Sequence, residues 1–437
     1  MEYNGGSLAS DHLCVLVHGL WGNPEHMKSI AKALRDKYSE DQLYLLVAKR
    51  NSGSFTYDGI ELGGERVCHE IEEELELIRS KGGNIKKLSI VGYSLGGLVA
   101  RYAVGLLEMR GVLDRVEPVN FTTFVSPHLG VRTPLRGWHS QAWNVMAART
   151  LSMSGRQLFL IDDYRDTGRP LLSVLTDPES IFMSGLKKFA RRTLYTNAVN
   201  DRSAVYYTTC IAKTDPYADR GRIQAHYLEG YEDVILDPLN PVSLAAPKRE
   251  RRTLAGAASH GLRQAPTMVA LAVFIPIGVT AFLLTSVVQT FRSLQRIRLH
   301  ESGLAGIRVE NYRSPIWTKD IRGTVEDVYE NLNSSQGPSY LPPAGDGSPL
   351  DETGDETESD PIALKRRQSH PQFPTLALAP AQFAMIDELD KVGWRKYPVW
   401  IHKVRHSHAA IIVRSDTSRF SEGFVVLRHF VDKEFLI

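Results

Sequence analysis

The 437-residue sequence predicts an α/β fold organised on a mostly parallel central sheet. Three observations predict it. Short, wholly apolar runs of strand length recur, as for strands buried on both faces of a parallel sheet. Segments with helical spacing of apolar residues alternate with them. A Gly-x-Ser-x-Gly turn, Gly92-Tyr93-Ser94-Leu95-Gly96, joins one such run directly to a helix.

Leu13-Cys14-Val15-Leu16-Val17 is the first strand and runs into His18-Gly19-Leu20-Trp21-Gly22. Asn23 then reads as a helix cap and Pro24 as the first helical residue, with Met27, Ile30, Ala31 and Leu34 on one face. Leu43 to Val47 is a second strand. Val67, Ile71, Leu75 and Ile78 mark an acidic helix that stops at Gly82-Gly83. The strand Ser89-Ile90-Val91 leads to Ser94, and a helix runs on to about Arg110. Phe121 to Val125 is the next strand, ending at Ser126-Pro127-His128, a motif expected at the rim of a pocket. From about 131 to 190 the strand pattern gives way to helical pieces rich in aromatic residues. They read as a cap inserted over the turn, or equally as helices on the sheet's outer face. Thr193 to Ala198 resumes the sheet, and Val205 to Ile211 reads as a strand or a partly buried loop. Tyr397 to Ile401 is the last strand.

Two segments separate that last strand from the rest. No charged side chain occurs between Gln264 and Phe291, and Met268 to Val288 is long and apolar enough to cross about 30 Å of hydrocarbon. Arginines flank it on both sides: Arg249, Arg251, Arg252 and Arg263 before, Arg292, Arg296 and Arg298 after. With Pro276 and Gly278 near its middle, it reads as a span or as a hairpin returning to the same face. Asn333 to about Pro374 turns to Ser, Pro, Gly and acidic residues and is expected to be disordered. The resulting organisation is an α/β core over 1–230 with the cap at about 131–190, a basic linker over 231–263, and the apolar segment at 264–291. A juxtamembrane region over 292–332, the acidic linker over 333–374 and a final piece over 375–437 follow, the last completing the core.

Composition narrows the function classes. Fifty-two Lys and Arg against 50 Asp and Glu leave a net charge of +2, which gives no electrostatic footprint for nucleic acid, so no nucleic-acid partner is expected. Cys14, Cys68 and Cys210 lie far apart in structured segments and read as reduced core thiols. The N-terminus lacks the basic and apolar regions of a secretory signal.

A strand, a Gly-x-Ser-x-Gly turn and a helix make the context of a nucleophile elbow, in which Gly92 and Gly96 let strand and helix meet and Ser94 projects as nucleophile. An acid and a histidine should follow in that chain order. Asp201 comes directly after the strand at 193–198, with Asp215 as competitor. His408 follows the last strand, with His402 and His406 nearby. That histidine cluster lacks accompanying cysteines or clustered carboxylates, so no metal is expected. His408 would take the Ser94 proton, Asp201 would fix its tautomer, and the Leu20 and Leu95 amides would form an oxyanion hole, with His18 and Gly19 shaping the loop.

The motifs Val17-His18-Gly19-Leu20-Trp21-Gly22, Gly92-Tyr93-Ser94-Leu95-Gly96-Gly97 and Val125-Ser126-Pro127-His128-Leu129-Gly130 together resemble the fungal putative serine esterase/lipase family, which includes lipid-droplet phospholipases. The resemblance covers about Leu13 to Ile211 and resumes weakly at Pro398 to Val413. It implies an α/β-hydrolase fold, to which the residue pattern adds the helical cap and a membrane-segment insertion before the last strand. It further implies hydrolysis of glycerolipid or phospholipid esters without a cofactor, at a lipid-droplet or endoplasmic reticulum membrane facing the cytosol. The same elbow would serve a thioesterase acting on lipidated proteins, or an idle scaffold.

Overall fold

The computed structural model describes residues 3–131, 152–245 apart from 166, 202 and 232, 288–302, 376, and 378–437 apart from 405. The apolar segment up to residue 287, the cluster Lys248–Arg252, the acidic linker and the tryptophans at 138 and 143 lie outside the described residues. Among those described, no helix is long and apolar enough to cross a membrane.

Six strands form one parallel sheet: β1 (His12–Val17), β2 (Tyr44–Val47), β3 (Lys87–Tyr93), β4 (Glu117–Phe124), β5 (Arg191–Asn197) and the last strand, β8 (Arg395–Val399). Their order across the sheet is β2-β1-β3-β4-β5-β8, with every neighbouring pair parallel. Two short strands, β6 (Ile223–Ala225) and β7 (Val242–Leu244), pair antiparallel outside it. Side chains alternate between faces along each strand. Leu13, Val15 and Val17 therefore enter one apolar cluster while Cys14 and Leu16 enter the other. On the first face lie α2 (Ile60–Ser80) and α3 (Leu95–Met109), which contribute Val67, Ile71, Leu98 and Tyr102. On the second lies α1 (Lys28–Lys37), with Ile30 and Leu34. Asn23 caps the turn before α1 by accepting from the Glu25 amide, and Pro24 follows it as the capping pattern requires.

The segment expected as a cap is only partly described. Within it are α4 (Ser152–Leu158), α5 (Leu171–Val174) and α6 (Ile181–Lys188). Helix α6 packs on the elbow helix, where Gly105 makes room for the Phe182 ring and Gly185 for Val104. This piece thus lies beside α3. Val205 to Ile211 is neither strand nor loop but a short helix, α7 (Tyr206–Cys210), closed by Ile211 in the left-handed conformation. The β-propensity of Tyr-Tyr-Thr-Thr yields there to buried contacts, with Thr208 donating to the Gly130 carbonyl at 2.7 Å. The core also reaches beyond residue 230: Ile235 and Leu236 are fully buried, and Ile235 bridges to Val399 of β8.

Candidate active site

Four loops at the carboxyl ends of β1, β3, β4 and β5 each hold a non-glycine residue in the left-handed region: Trp21 (φ 55°), Ser94 (φ 54°), Val125 (φ 45°) and Asn200 (φ 66°). Such conformations cost about 1–3 kcal/mol each and persist where the surroundings hold them, commonly at functional sites. In a parallel α/β sheet this edge is also where ligands bind.

Ser94 sits between β3 and α3 on the sharp turn of an elbow. Close approach explains the glycines around it. A Cβ on Gly96 would strike the carbonyl oxygen of Val17, and one on Gly92 the Cα of Gly97. A Cβ on Gly19 would lie 2.7 Å from the Ser94 Cβ and 3.3 Å from its Oγ. The 18–22 backbone therefore passes directly over the serine.

Ser94 Oγ lies 2.9 Å from His408 Nε2, and His408 Nδ1 lies 2.8 Å from Asp201 Oδ2. The three residues come from loops after β3, β5 and β8, with 207 positions between Asp201 and His408. Asp201 also accepts from Asn197 Nδ2, from Ser203 N and from Ala204 N, each at 2.9 Å. Burial alone would push its pKa up. The His408 ring and these donors outweigh burial and hold the carboxyl below its ordinary value. With the carboxylate on Nδ1, the tautomer carrying hydrogen there leaves Nε2 free to accept from the serine hydroxyl.

The competing residues lie elsewhere. Asp215 accepts from the Tyr217 amide at 3.0 Å. His406 precedes the short helix Ser407–Ala410 as its N-terminal flank. His402 pairs through Nδ1 with Glu422 at 3.2 Å. No cluster of His, Cys, Asp and Glu fit to hold a metal occurs among the described residues.

Residues 7–214 match the sequence profile of the family described as "Putative serine esterase (DUF676)". This region is similar to that family over just under half of the chain. Similar proteins include the "Putative lipase ROG1" of Saccharomyces cerevisiae, 31% identical over 211 residues, 47% of this chain and 29% of that one. The Schizosaccharomyces pombe "Putative lipase C4A8.10" is 26% identical over 218 residues, 48% of this chain and 27% of that one. The chain thus spans less than a third of the length of these relatives. Among solved structures, a lipase-esterase related protein from Clostridium acetobutylicum aligns with 15% identity and a TM-score of 0.25 over 44% of this chain and 77% of that one. The α/β-hydrolase fold is evident in the strand order and elbow themselves.

Tyr93, Thr56 and Tyr57 belong to this site and carry no sequence pattern that marks them. Tyr93, the variable position before the serine, donates from its hydroxyl to the His408 carbonyl at 2.9 Å, its ring 5.3 Å from the imidazole. Thr56 and Tyr57 hold the 18–22 loop: Trp21 N donates to Thr56 Oγ1 at 3.0 Å and the indole N–H to Tyr57 Oη at 2.6 Å. His18 is buried and its pKa falls to about 4 through desolvation, so the ring is neutral; Nδ1 lies 3.1 Å from the Gly19 carbonyl. Ser126 and His128 are not at the pocket rim. Both are fully buried beneath the elbow helix, Ser126 against Gly97 and His128 on Thr123.

Proposed function

We propose that this chain is a serine esterase that hydrolyses acyl esters of membrane or lipid-droplet glycerolipids and phospholipids through Ser94, His408 and Asp201. The observation that carries this reading is the continuous hydrogen-bonded relay from Ser94 Oγ through the His408 ring to the Asp201 carboxylate. In the first half-reaction Ser94 Oγ attacks the ester carbonyl while His408 Nε2 takes its proton. Charge develops on the carbonyl oxygen, where the Leu20 and Leu95 amides are suited to receive it, one on the loop over the serine and one at the start of α3. His408 then gives the proton to the departing alcohol, leaving an acyl-Ser94 that water cleaves by the same proton transfers in reverse order of roles. Asp201 keeps the imidazole oriented and stabilises its cationic form throughout.

The lipid setting rests on the apolar run Met268 to Val288, which would seat the domain on a bilayer or droplet so that an acyl chain enters without crossing water. Three buried free thiols suit a domain facing the cytosol at the lipid-droplet or endoplasmic reticulum surface. The test is purified Ser94→Ala against the parent on phospholipid, acylglycerol and acyl-thioester panels, with a fluorophosphonate label read in parallel. Loss of ester cleavage and labelling in the variant, with unchanged membrane association, is the expected result. Equal cleavage by both proteins sinks the assignment. A parent that cleaves only thioesters moves the substrate to lipidated proteins, and a parent that takes no label leaves a scaffold.

A further inference from the structure

Residues 288–301 form a helix, α8, that the sequence places beyond the apolar run yet that lies against the catalytic core. Its Ser293 Oγ donates to Asp58 Oδ1 at 2.8 Å. Arg296 donates from Nε to Asp58 Oδ2 at 2.9 Å, and from Nη2 to Asp58 Oδ1 at 2.7 Å and the Ser54 carbonyl at 2.9 Å. The Asp58 side chain is wholly buried and also takes Arg66 Nη2 at 2.8 Å. Both guanidinium groups lie over the Phe55 ring, at 5.0 Å for Arg66 and 4.9 Å for Arg296. One helical turn on, His300 Nε2 meets Glu65 Oε2 at 2.5 Å, with both side chains buried. The helix therefore grips the short segment 54–58 by charge, hydrogen bonds and ring contact together.

That same segment carries the supports of the oxyanion loop. Thr56 Oγ1 accepts the Trp21 amide, Tyr57 Oη accepts the indole, and the Gly53 amide donates to the Gly22 carbonyl at 2.7 Å. Trp21 follows Leu20 directly and is left-handed, so its backbone keeps its course only while neighbours hold it. We propose that Ser293 and Arg296 are positioning residues for the oxyanion hole: by fixing Asp58 they fix Thr56 and Tyr57, and through Trp21 the direction of the Leu20 amide. This rests on the reading of Leu20 as an oxyanion donor. A donor must meet the developing oxyanion within a few tenths of an ångström, so a support three contacts away can decide its effect.

The experiment uses the full chain and two readouts. Hydrogen exchange is followed in a peptide over residues 18–24 and in one over the elbow, and kcat and KM are measured on a water-soluble butyrate ester. In Arg296→Ala the loop peptide exchanges faster while the elbow peptide is unchanged, and kcat falls by about tenfold with KM within about twofold, the signature of lost transition-state stabilisation. Arg296→Lys recovers part of both. Thr56→Val gives the same pair of changes, and joining it to Arg296→Ala adds little because both act on one path. Should Arg296→Ala fold poorly, Ser293→Ala carries the same expectation with smaller changes. A loop peptide that exchanges as in the parent, or losses that multiply in the double variant, overturns the proposal. A loosened loop in a chain with no esterase turnover in the parent upholds the positioning and instead removes the ester-hydrolysis reading.

Discussion

His408 is held from three sides, by Asp201 at Nδ1, by Ser94 at Nε2 and by the Tyr93 hydroxyl at its own carbonyl. These restraints differ in what their loss should do. Asp201→Asn keeps the shape but favours the wrong tautomer, so kcat should fall by roughly 10⁴ with folding intact by circular dichroism; a fall below tenfold would remove Asp201 from the relay. Tyr93→Phe keeps the ring against the imidazole and removes one hydrogen bond, so kcat should fall only several-fold and stability by about 1 kcal/mol, read from steady-state kinetics and urea unfolding. Ser94 was legible because a strand, two glycines and a helix leave few other readings for the serine between them. The choice of Asp201 and His408 over Asp215 and His406 was legible only from chain order and distance to a strand end. Tyr93 was not legible, since its partner is a backbone carbonyl 315 positions away and no side-chain pattern records it.

The six parallel strands were legible as elements because strands buried on both faces leave uninterrupted apolar runs, and only their ends moved, as in β4 starting at Glu117. Val205 to Ile211 became a helix, and the short pair β6 and β7 left no such run. What pattern could not supply was tertiary pairing. Helix α8 carries arginines that read as flanking charges of an apolar segment, whereas Arg296 is spent on a buried carboxylate. The last strand shows the same limit. β8 returns after a long insertion and docks on β5 partly through Glu434, which the sequence does not distinguish from any other acidic residue near a C-terminus. Glu434 accepts from Arg395 Nε at 2.7 Å and Nη2 at 2.9 Å, from Tyr397 Oη at 2.7 Å and from Thr193 Oγ1 at 3.0 Å. Glu434→Ala strands two buried hydroxyls and should cost about 2–3 kcal/mol. Because β8 leads into the His408 loop, the variant should also lose activity at temperatures below its unfolding midpoint. Full activity up to that midpoint would show that the loop does not depend on this anchor.

At the scale of the molecule, the two apolar faces of the sheet enclose several imidazoles whose burial outweighs any nearby carboxylate, and this sets the response to acid. Burial pushes the pKa of His12, His18 and His429 down to about 4 and that of His128 further, so all four rings are neutral in the fold. The unfolded chain protonates its histidines near their ordinary value of about 6.5. Below that pH it binds more protons than the folded chain, and stability falls as pH falls. The stability these groups supply is therefore intact above about pH 6.5 and is lost progressively towards pH 4. The share held by Asp201, whose pKa lies below its ordinary value, is lost only at lower pH, from about 3.9 downward. His12 isolates one member of the set. Its Nε2 lies 2.7 Å from Ser89 Oγ, a hydroxyl that already accepts from Asn120 Nδ2 at 2.8 Å, so the hydroxyl hydrogen is free to point at a neutral ring. His12→Gln keeps a polar partner for Ser89 and removes the titration. Urea unfolding followed from pH 7 to 4.5 should show a shallower loss of stability in this variant, by up to about 1.4 kcal/mol per pH unit, the value for one proton. Identical slopes in variant and parent would mean that His12 takes up its proton without unfolding, and that acid sensitivity resides in the other buried rings.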